Sequence, residues 1–412
     1  MPASSADMGI PIDAVSYATY EWKPRAPEMH SRAEVLRQTG LYEVTVTAPI
    51  IGWKPRIPAE VAADVEDATR ALVEFDRHAR SRLGSDNPAL GPMAAILLRT
   101  ESASSSQIEQ LTTSAKQLAL AEIDETERAN ALTVIGNVRA MEAALQLSDD
   151  VNERSILAMH HALMIHQSGF ENDAGRYRSE QVWIGPGEAG PRLADFVAPH
   201  HGRIPEMIAD LVGFIAREDL TVLVQMAVAH AQFETIHPFP DGNGRTGRAL
   251  AQSILRNKGL VGSTAVPISA GLLVHMERYF AALTAFRTGD AEPIIREFAA
   301  ASRIAATTGT QLVDDLAEQL QDARRKLRGL RSDATAWRIL PVLIGQPVIN
   351  TRYLMDSIGL GEMAALRALD ALTDRGVLLE STGRNRNRVW QHREILDILD
   401  SYAATIRRLS VV

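Results

Sequence analysis

Apolar residues recur at helical spacing through most of this 412-residue chain, and this periodicity limits the fold more than any other feature. It begins near residue 57 and continues to about residue 330, with short breaks that contain Gly or Pro. The first segment places apolar side chains at Val61, Val65, Ala68, Leu72 and Phe75. Within this region, residues 176–184 alone give a clear strand signal, and Gly-Pro-Gly follows them. The sequence therefore predicts a mainly α fold, a helical bundle with one short β-hairpin.

The predicted domain organisation has four parts. Residues 1–56 are irregular and Pro-punctuated, and they predict an N-terminal arm with a strand at 41–48. Residues 57–310 form the helical body, and the charged amphipathic stretch 311–332 predicts a connecting helix. Residues 333–412 give a helix, a strand, two helices and a hairpin with a basic turn. That order is typical of a winged helix-turn-helix domain.

Composition excludes several classes of protein. The chain has no cysteine, which excludes disulfides, Cys-ligated metal sites and a thiol nucleophile. A net charge of −8 argues against nonspecific coating of nucleic acid. No apolar stretch reaches the ~20 residues of a membrane span, and the first residues lack the pattern of a secretory signal. We therefore expect no membrane association and a cytoplasmic location.

Residues 237–248, HPFPDGNGRTGR, lie between two helical runs and concentrate the polar chemistry of the chain. Residues 242–247 match G-x-G-x-x-G, but a helix precedes them where a dinucleotide fold needs a strand. Residues 241–243 open like a calcium loop, yet Arg245 stands where an oxygen ligand belongs. An ordinary helix–loop–helix turn explains the glycines but leaves the His, Asp and Arg residues without a role.

An anion site explains the whole segment. Gly242 and Gly244 allow successive backbone N–H groups to turn inward, and the helix that starts near Arg245 points its positive end at the same place. Arg245 and Arg248 are three residues apart on the first turn, so both guanidinium groups can reach one side. Phosphate is the natural occupant of such a site.

Two further side chains add chemistry to the anion site. Asp241 places a hard oxygen ligand where Mg²⁺ would bridge phosphates. His237, at the end of the preceding helix, supplies a group that titrates near neutral pH. A phosphate clamp, a metal ligand and a base together predict nucleotide-dependent group transfer.

The segment resembles the signature of the Fic domain, H-x-F-x-[DE]-G-N-G-R-x-x-R, without a gap. The eight specified positions are His237, Phe239, Asp241, Gly242, Asn243, Gly244, Arg245 and Arg248. Residues 176–185 look like the flap hairpin of that family, which aligns the target segment, and residues 204–215 resemble the helix before its catalytic helix pair. A C-terminal winged helix also fits one common Fic architecture, so the likeness covers most of the chain beyond about residue 40.

The resemblance implies a protein adenylyltransferase. Fic enzymes usually transfer AMP from ATP to a Ser, Thr or Tyr hydroxyl of a protein, automodification included, and release pyrophosphate. By this likeness His237 is the general base, a role worth about 10² to 10⁴ in rate. Asp241 would hold Mg²⁺ across the α- and β-phosphates, and Phe239 would anchor the loop.

The same resemblance gives roles to the phosphate-binding residues. The backbone N–H groups at Gly242 and Gly244 would bind phosphate oxygens together with Asn243. Arg245 would steady the departing charge, and Arg248 would hold the γ-phosphate. Tyr279 resembles a family position near the adenine, and a core aromatic is the alternative for it.

A second motif implies control. Many Fic proteins carry an inhibitory helix of pattern [ST]-x-x-x-E-[GN], whose Glu pairs with the second motif arginine, here Arg248. Ser105 and Glu109 fit this pattern, within a helix expected near residues 101–115. Gln110 departs from it, and we expect Gln110 to continue the helix rather than end it. The resemblance therefore implies autoinhibition by Glu109.

Other functions stay open at this point. The winged helix predicts a possible DNA-binding regulator with the helical body as nucleotide sensor, and Arg384, Arg386 and Arg388 on the wing support phosphate contact. The acidic residues of its second helix favour a protein contact instead. Glu109 would also suit a hydrolase that positions water to remove AMP. The sequence leaves the target protein and the oligomeric state open, with a homodimer as one family possibility.

Overall fold

The computed structural model describes residues 9–83, 90–165, 167–262, 264–381 and 388–410. The fold is mainly α, as the sequence predicts. The strands are β1 Ser16–Trp22, β2 Gly40–Val46, β3 Trp183–Ile184, β4 Phe196–Val197, β5 Val348–Asn350, β6 Leu379–Glu380 and β7 Val389–Gln391. The helices are α1 Arg32–Gln38, α2 Ala59–Leu83, α3 Leu90–Ile108, α4 Ala115–Glu122, α5 Ala129–Gln146, α6 Glu153–Met164, α7 Ile204–Ile215, α8 Val222–Ile236, α9 Asn243–Asn257, α10 Ile268–Val274, α11 Met276–Arg287, α12 Glu292–Lys326, α13 Ala336–Ile339, α14 Val342–Gly345, α15 Thr351–Ile358, α16 Glu362–Asp374 and α17 Arg393–Leu409.

The chain divides into two compact units. The first contains residues 1–66, 143–258 and 277–299, and the second contains residues 67–142, 259–276 and 300–412. No helix of the described residues is long and apolar enough to cross a membrane.

The N-terminal arm is more regular than the sequence predicts. The expected strand is present as β2, but β1 pairs with it over its full length in an antiparallel hairpin, from Ser16 opposite Val46 to Trp22 opposite Gly40. Helix α1 lies between the two strands, and its N-cap Ser31 accepts a hydrogen bond from the N–H of Glu34 at 3.1 Å. The prolines of the arm hid this hairpin from sequence reasoning.

Four helices position the candidate site in the first unit. Helix α8 packs against α7 and α9, and α6 packs against α7 and α9. Every residue of α8 after its first is buried, so this helix forms the centre of the unit. A capping box between Asn152 and Ser155 fixes the start of α6. The predicted flap is shorter than expected, because only Trp183 and Ile184 pair with β4.

The second unit is built around α3, which packs against α10 and α14. Glu101 of α3 accepts hydrogen bonds from the N–H and the hydroxyl of Ser269, at 2.9 and 2.6 Å, and so caps the start of α10. The expected connecting helix is the second half of the long α12, which begins at Glu292 rather than near residue 311. Its predicted leucine stripe, Leu316, Leu320 and Leu327, is buried.

The C-terminal elements follow the predicted order, and β5, β7 and β6 form a three-stranded antiparallel sheet in that spatial order. Arg388 donates to Glu380 at 2.6 Å and lies over the ring of Trp390, with Cζ 4.6 Å from the centroid. The Arg388 guanidinium, which the sequence suggests as a DNA-phosphate contact, therefore contacts Glu380 and Trp390 of the same C-terminal elements. Arg384 and Arg386 lie outside the described residues.

Candidate active site

The predicted loop joins two buried helices by a sharp reversal. Helix α8 ends at Ile236, and its C-cap His237 takes the left-handed conformation with φ of 49°. Helix α9 begins at Asn243, two residues earlier than predicted, after Gly242 with φ of 74°. A Cβ on Gly242 would lie 2.7 Å from Cδ2 of Leu163, so both the backbone angle and the space require glycine. Gly244 lies inside the first turn of α9 rather than in the loop.

The surroundings of His237 determine its tautomer and charge. Its Nδ1 lies 3.3 Å from the carbonyl oxygen of Glu234, and a carbonyl only accepts, so Nδ1 carries the proton. Nε2 is then the basic nitrogen. Burial lowers the pKa of His237 to about 4, and the charges of Arg178 and Arg287 act in the same direction. His237 is therefore neutral at pH 7, as a general base must be.

Arg178 holds the backbone at His237 and Pro238. Its Nε donates to the carbonyl oxygen of His237 at 2.8 Å, and its own N–H donates to that of Pro238 at 3.0 Å. The two terminal nitrogens donate to the carbonyl oxygens of Glu180 and Pro199, at 2.8 and 2.5 Å. Arg178 is only 3% exposed, so these hydrogen bonds are shielded from solvent. They connect the flap segment, residues 176–185, to the loop after α8.

The amide of Asn243 braces the loop. It accepts from the N–H of Phe239 and donates to the carbonyl of Phe239, both at 2.9 Å. Oδ1 and one hydrogen of Nδ2 therefore already have partners, and phosphate binding by Asn243 stays a prediction. The N–H of Asn243 at the start of α9 is a further candidate group for phosphate.

Asp241, Arg245 and Gln167 form a hydrogen-bonded cluster. Oδ2 of Asp241 accepts from Arg245 at 3.1 Å and from Gln167 at 3.0 Å, and Gln167 accepts from Arg245 at 3.3 Å. The expected metal ligand and the expected phosphate arginine therefore contact each other. An anion or cation bound at this cluster would have to share or replace the Asp241–Arg245 ion pair.

The donor set fits Mg²⁺ that arrives with a nucleotide better than a resident ion. No group of three or more His, Asp or Glu side chains suited to a metal occurs among the described residues. The Asp241 side chain is 37% exposed, and a single accessible carboxylate with substrate phosphates is a common Mg²⁺ arrangement.

Positive charge collects at the start of α9. Arg245 and Arg248 are 2% and 3% exposed and lie on its first two turns. Burial is the main cause that lowers the pKa of His230, and Arg248 is close enough that its charge lowers this pKa further. Two buried guanidinium groups and the N-terminus of a helix favour a multiply charged anion.

Tyr279 lies in the core of the first unit. It is 1% exposed, and its hydroxyl lies 2.8 Å from Nε2 of His230. A ring this buried offers no face to an adenine, so the structure favours the alternative of a core aromatic.

The inhibitory motif lies in the second unit, at the end of α3. The helix ends at Ile108, so the expectation that Gln110 continues it is wrong: Gln110 has φ of 62°. The N–H of Leu111 bonds the carbonyl of Ser106 at 3.0 Å, and that of Gln110 bonds Gln107 at 2.9 Å. These bonds form a Schellman motif, in which Glu109 is the C-cap and Gln110 occupies the position that usually takes glycine. Ser105 is fully buried.

Sequence reasoning missed Arg178 and Gln167, and it gave His160 no role at the site. His160 is fully buried against Phe239, and its Nε2 lies 3.1 Å from the carbonyl oxygen of Asp241. Each contacts the loop from far away in the chain. The partner lies 59 positions away for Arg178, 74 and 78 positions away for Gln167, and 81 positions away for His160. No local spacing carries that signal.

Two family models match parts of this chain. The model of the Fic/DOC family matches residues 150–255, and that of the Fic/DOC family N-terminal region matches residues 62–146. A probable protein adenylyltransferase of Aquifex aeolicus is 32% identical over 171 residues, which are 40% of this chain and 50% of that protein. A protein adenylyltransferase of Caenorhabditis elegans is 31% identical over 151 residues, 36% of this chain and 26% of that protein. The chain thus spans half or less of the length of these relatives.

Two solved structures align with parts of this chain. A Fic family protein from Desulfovibrio desulfuricans aligns with a TM-score of 0.49 at 23% identity, over 84% of this chain and 97% of that one. A segment of Fic-1 from Caenorhabditis elegans aligns with a TM-score of 0.47 at 22% identity, over 62% and 74%.

Proposed function

We propose that the chain is a protein adenylyltransferase that transfers AMP from ATP to a Ser, Thr or Tyr hydroxyl of a protein, since residues 150–255 match the model of the Fic/DOC family. The observation that carries the proposal is the neutral His237, whose Nδ1–H is held by Glu234 beside the positive start of α9. A base and a polyphosphate site are then adjacent.

The residues divide the reaction between them. Nε2 of His237 takes the proton of the target hydroxyl while the oxygen of that hydroxyl forms a bond to the α-phosphorus. The bond from the α-phosphorus to the oxygen that bridges to the β-phosphate breaks, and pyrophosphate leaves. Arg245, Arg248 and the first N–H groups of α9 stabilise the charge on the phosphates. Asp241 would hold Mg²⁺, which neutralises phosphate charge.

Labelled ATP tests this proposal. The protein and a candidate target are incubated with ATP labelled at the α- or the γ-phosphate. Only the α label should enter protein, and His237→Ala should abolish labelling while calorimetry still detects ATP binding. His161→Ala, at an exposed histidine on α6, is the matched control. Entry of the γ label, or full activity of His237→Ala, would contradict the proposal.

Autoinhibition by Glu109 belongs to the same proposal. The left-handed Gln110 after Glu109 supports it, because the motif places Gly or Asn, which favour that conformation, at this position. If Glu109 opposes productive ATP seating, Glu109→Gly should raise α-label incorporation. The expected gain is about 10- to 150-fold, since a charge-assisted hydrogen bond is worth about 1.5–3 kcal/mol. Unchanged labelling in Glu109→Gly would count against inhibition. If Glu109→Gly loses the labelling activity and also the ability to remove AMP from a modified target, the hydrolase is favoured.

The C-terminal module remains a candidate contact surface for protein, with DNA as the rival partner. Duplex DNA binding that weakens steeply with salt would favour DNA. A homodimer is proposed from the family resemblance, and sedimentation of the full chain tests it.

A further inference from the structure

A cavity of about 510 Å³ lies within the second unit, and no residue of the loop at 237–248 lines it. Residues of α3, α4, the turn before α4 and α17 line it, together with Pro347. Its volume falls in the range of sites for drug-sized ligands, about 300–1,000 Å³. The proposed transferase reaction makes no use of it.

The wall of the cavity is partly apolar and partly cationic. Ile96, Leu118 and Ile406 contribute buried apolar surface from three different helices. Arg99 and Arg407 bring positive charge, against the single acid Asp400. The lining therefore has a net positive charge beside an apolar surface.

Arg99 is a buried cation in this lining. The residue is 8% exposed; its Nη1 donates to the carbonyl oxygen of Gly345 and to Oε1 of Gln346, and its Nη2 lies 3.6 Å from Glu122. Its Nε makes no hydrogen bond within the described part of the chain. Burial disfavours the charged guanidinium, and an anion in the cavity would stabilise it through its charge.

The start of α4 adds to the same preference. Ser114 is its N-cap and accepts from the N–H of Gln117 at 3.3 Å, and residues 112–115 line the cavity. The structure describes every residue in the first turn of α4, and none of them is acidic. No side chain of that turn therefore neutralises the positive end of the helix dipole.

We propose that this cavity binds a small amphipathic acid, with its anionic group near Arg99, Arg407 and the start of α4 and its apolar body against Ile96, Leu118 and Ile406. The ligand is a free small molecule, because the walls come from three helices that enclose a limited volume. The site would contact α3, the helix that carries Ser105 and leads into Glu109. This binding is independent of adenylyl transfer.

A pair of fluorescent probes tests the proposal on the full chain. 1-Anilinonaphthalene-8-sulfonate carries one anionic group, and N-phenyl-1-naphthylamine has the same rings without it. The sulfonate should bind the native protein at one site, and the neutral amine should bind at least about tenfold more weakly, a difference of about 1.4 kcal/mol. Equal affinity for the two probes would overturn the proposal.

Neighbouring residues on α17 supply matched variants. Ala403 and Arg407 line the cavity, whereas Ala404 and Arg408 do not. Ala403→Trp should fill the space and weaken sulfonate binding at least about tenfold, whereas Ala404→Trp should not. A tryptophan packed between helices can impair folding, so Arg407→Gln gives a second test. In Arg407→Gln, sulfonate binding should fall about fivefold and binding of the neutral amine should not change. Arg408→Gln should change neither. Equal sulfonate affinity within both pairs would overturn the proposal.

Discussion

The imidazole of His160 lies flat on the phenyl ring of Phe239, with the centroids 3.7 Å and the planes 3° apart. Nδ1 of His160 accepts the N–H of Gly175 at 3.0 Å, so Nε2 carries the proton and donates to the carbonyl of Asp241 at 3.1 Å. One neutral ring thus joins α6, the turn at Gly175 and the loop of the candidate site. Protonation of Nδ1 would break the bond to Gly175.

Folding stability should therefore decrease in mild acid. Burial lowers the pKa of His160 and His237 to about 4 and that of His230 to about 3, against about 6.5 when unfolded. Between pH 6.5 and 4 the unfolded chain binds more protons, so the free energy of unfolding falls as pH falls, by about 1.4 kcal/mol per pH unit for each histidine.

Urea unfolding at several pH values measures this slope. His160→Gln should lower the slope by about 1.4 kcal/mol per pH unit, the contribution of one histidine. His161→Gln, at an exposed neighbour on the same helix, leaves His160 in place and is the control. Equal slopes for all three proteins would contradict the assignment to His160.

Arg178→Lys should impair the site through the backbone of His237. Lysine keeps the charge but cannot reach three carbonyl groups at once, so at least one charge-assisted hydrogen bond, worth about 1.5–3 kcal/mol, is lost. We expect the free energy of unfolding to fall by about that amount and kcat for AMP transfer to fall about tenfold or more, with the Kd for ATP almost unchanged.

Arg176→Lys is the control for Arg178→Lys, because Arg176 is exposed on the same segment. A loss of ATP affinity in Arg178→Lys with normal kcat would show that Arg178 acts on nucleotide binding and not on the position of His237.

The loop was readable from sequence because its chemistry is local. His237, Asp241, Arg245 and Arg248 stand within one turn and the start of one helix, so their spacing alone brings them together. Arg178 reaches this loop from 59 positions away, and nothing near it in sequence marks it as the partner of His237. The left-handed Gln110 was unpredictable for a different reason, since helix propensity favours glutamine and the hydrogen bonds of the turn override it.

Gln110→Gly should stabilise the second unit. A non-glycine residue with φ of 62° costs about 1–2 kcal/mol, and glycine adopts this angle without a Cβ clash. The entropy of glycine in the unfolded chain offsets part of the gain, so we expect about 1 kcal/mol in the free energy of unfolding. Gln110→Ala keeps the Cβ and should give no gain. If alanine stabilises as much as glycine, the strain is not at this backbone position.

His237 should be neutral and carry its proton on Nδ1 from pH 8 down to about pH 5.5, because burial lowers its pKa to about 4 and the carbonyl of Glu234 accepts from Nδ1. Long-range ¹⁵N–¹H correlation spectra of protein labelled at histidine distinguish the two tautomers and the cation. His237→Gln identifies the signal, and the same protein in urea should show histidines that titrate near pH 6.5. A proton on Nε2 would leave no base toward an incoming hydroxyl, and half-protonation near pH 6.5 would mean that the site is hydrated rather than buried. The first result would remove the base on which the proposed transfer depends, and the second would contradict the burial of the His237 ring.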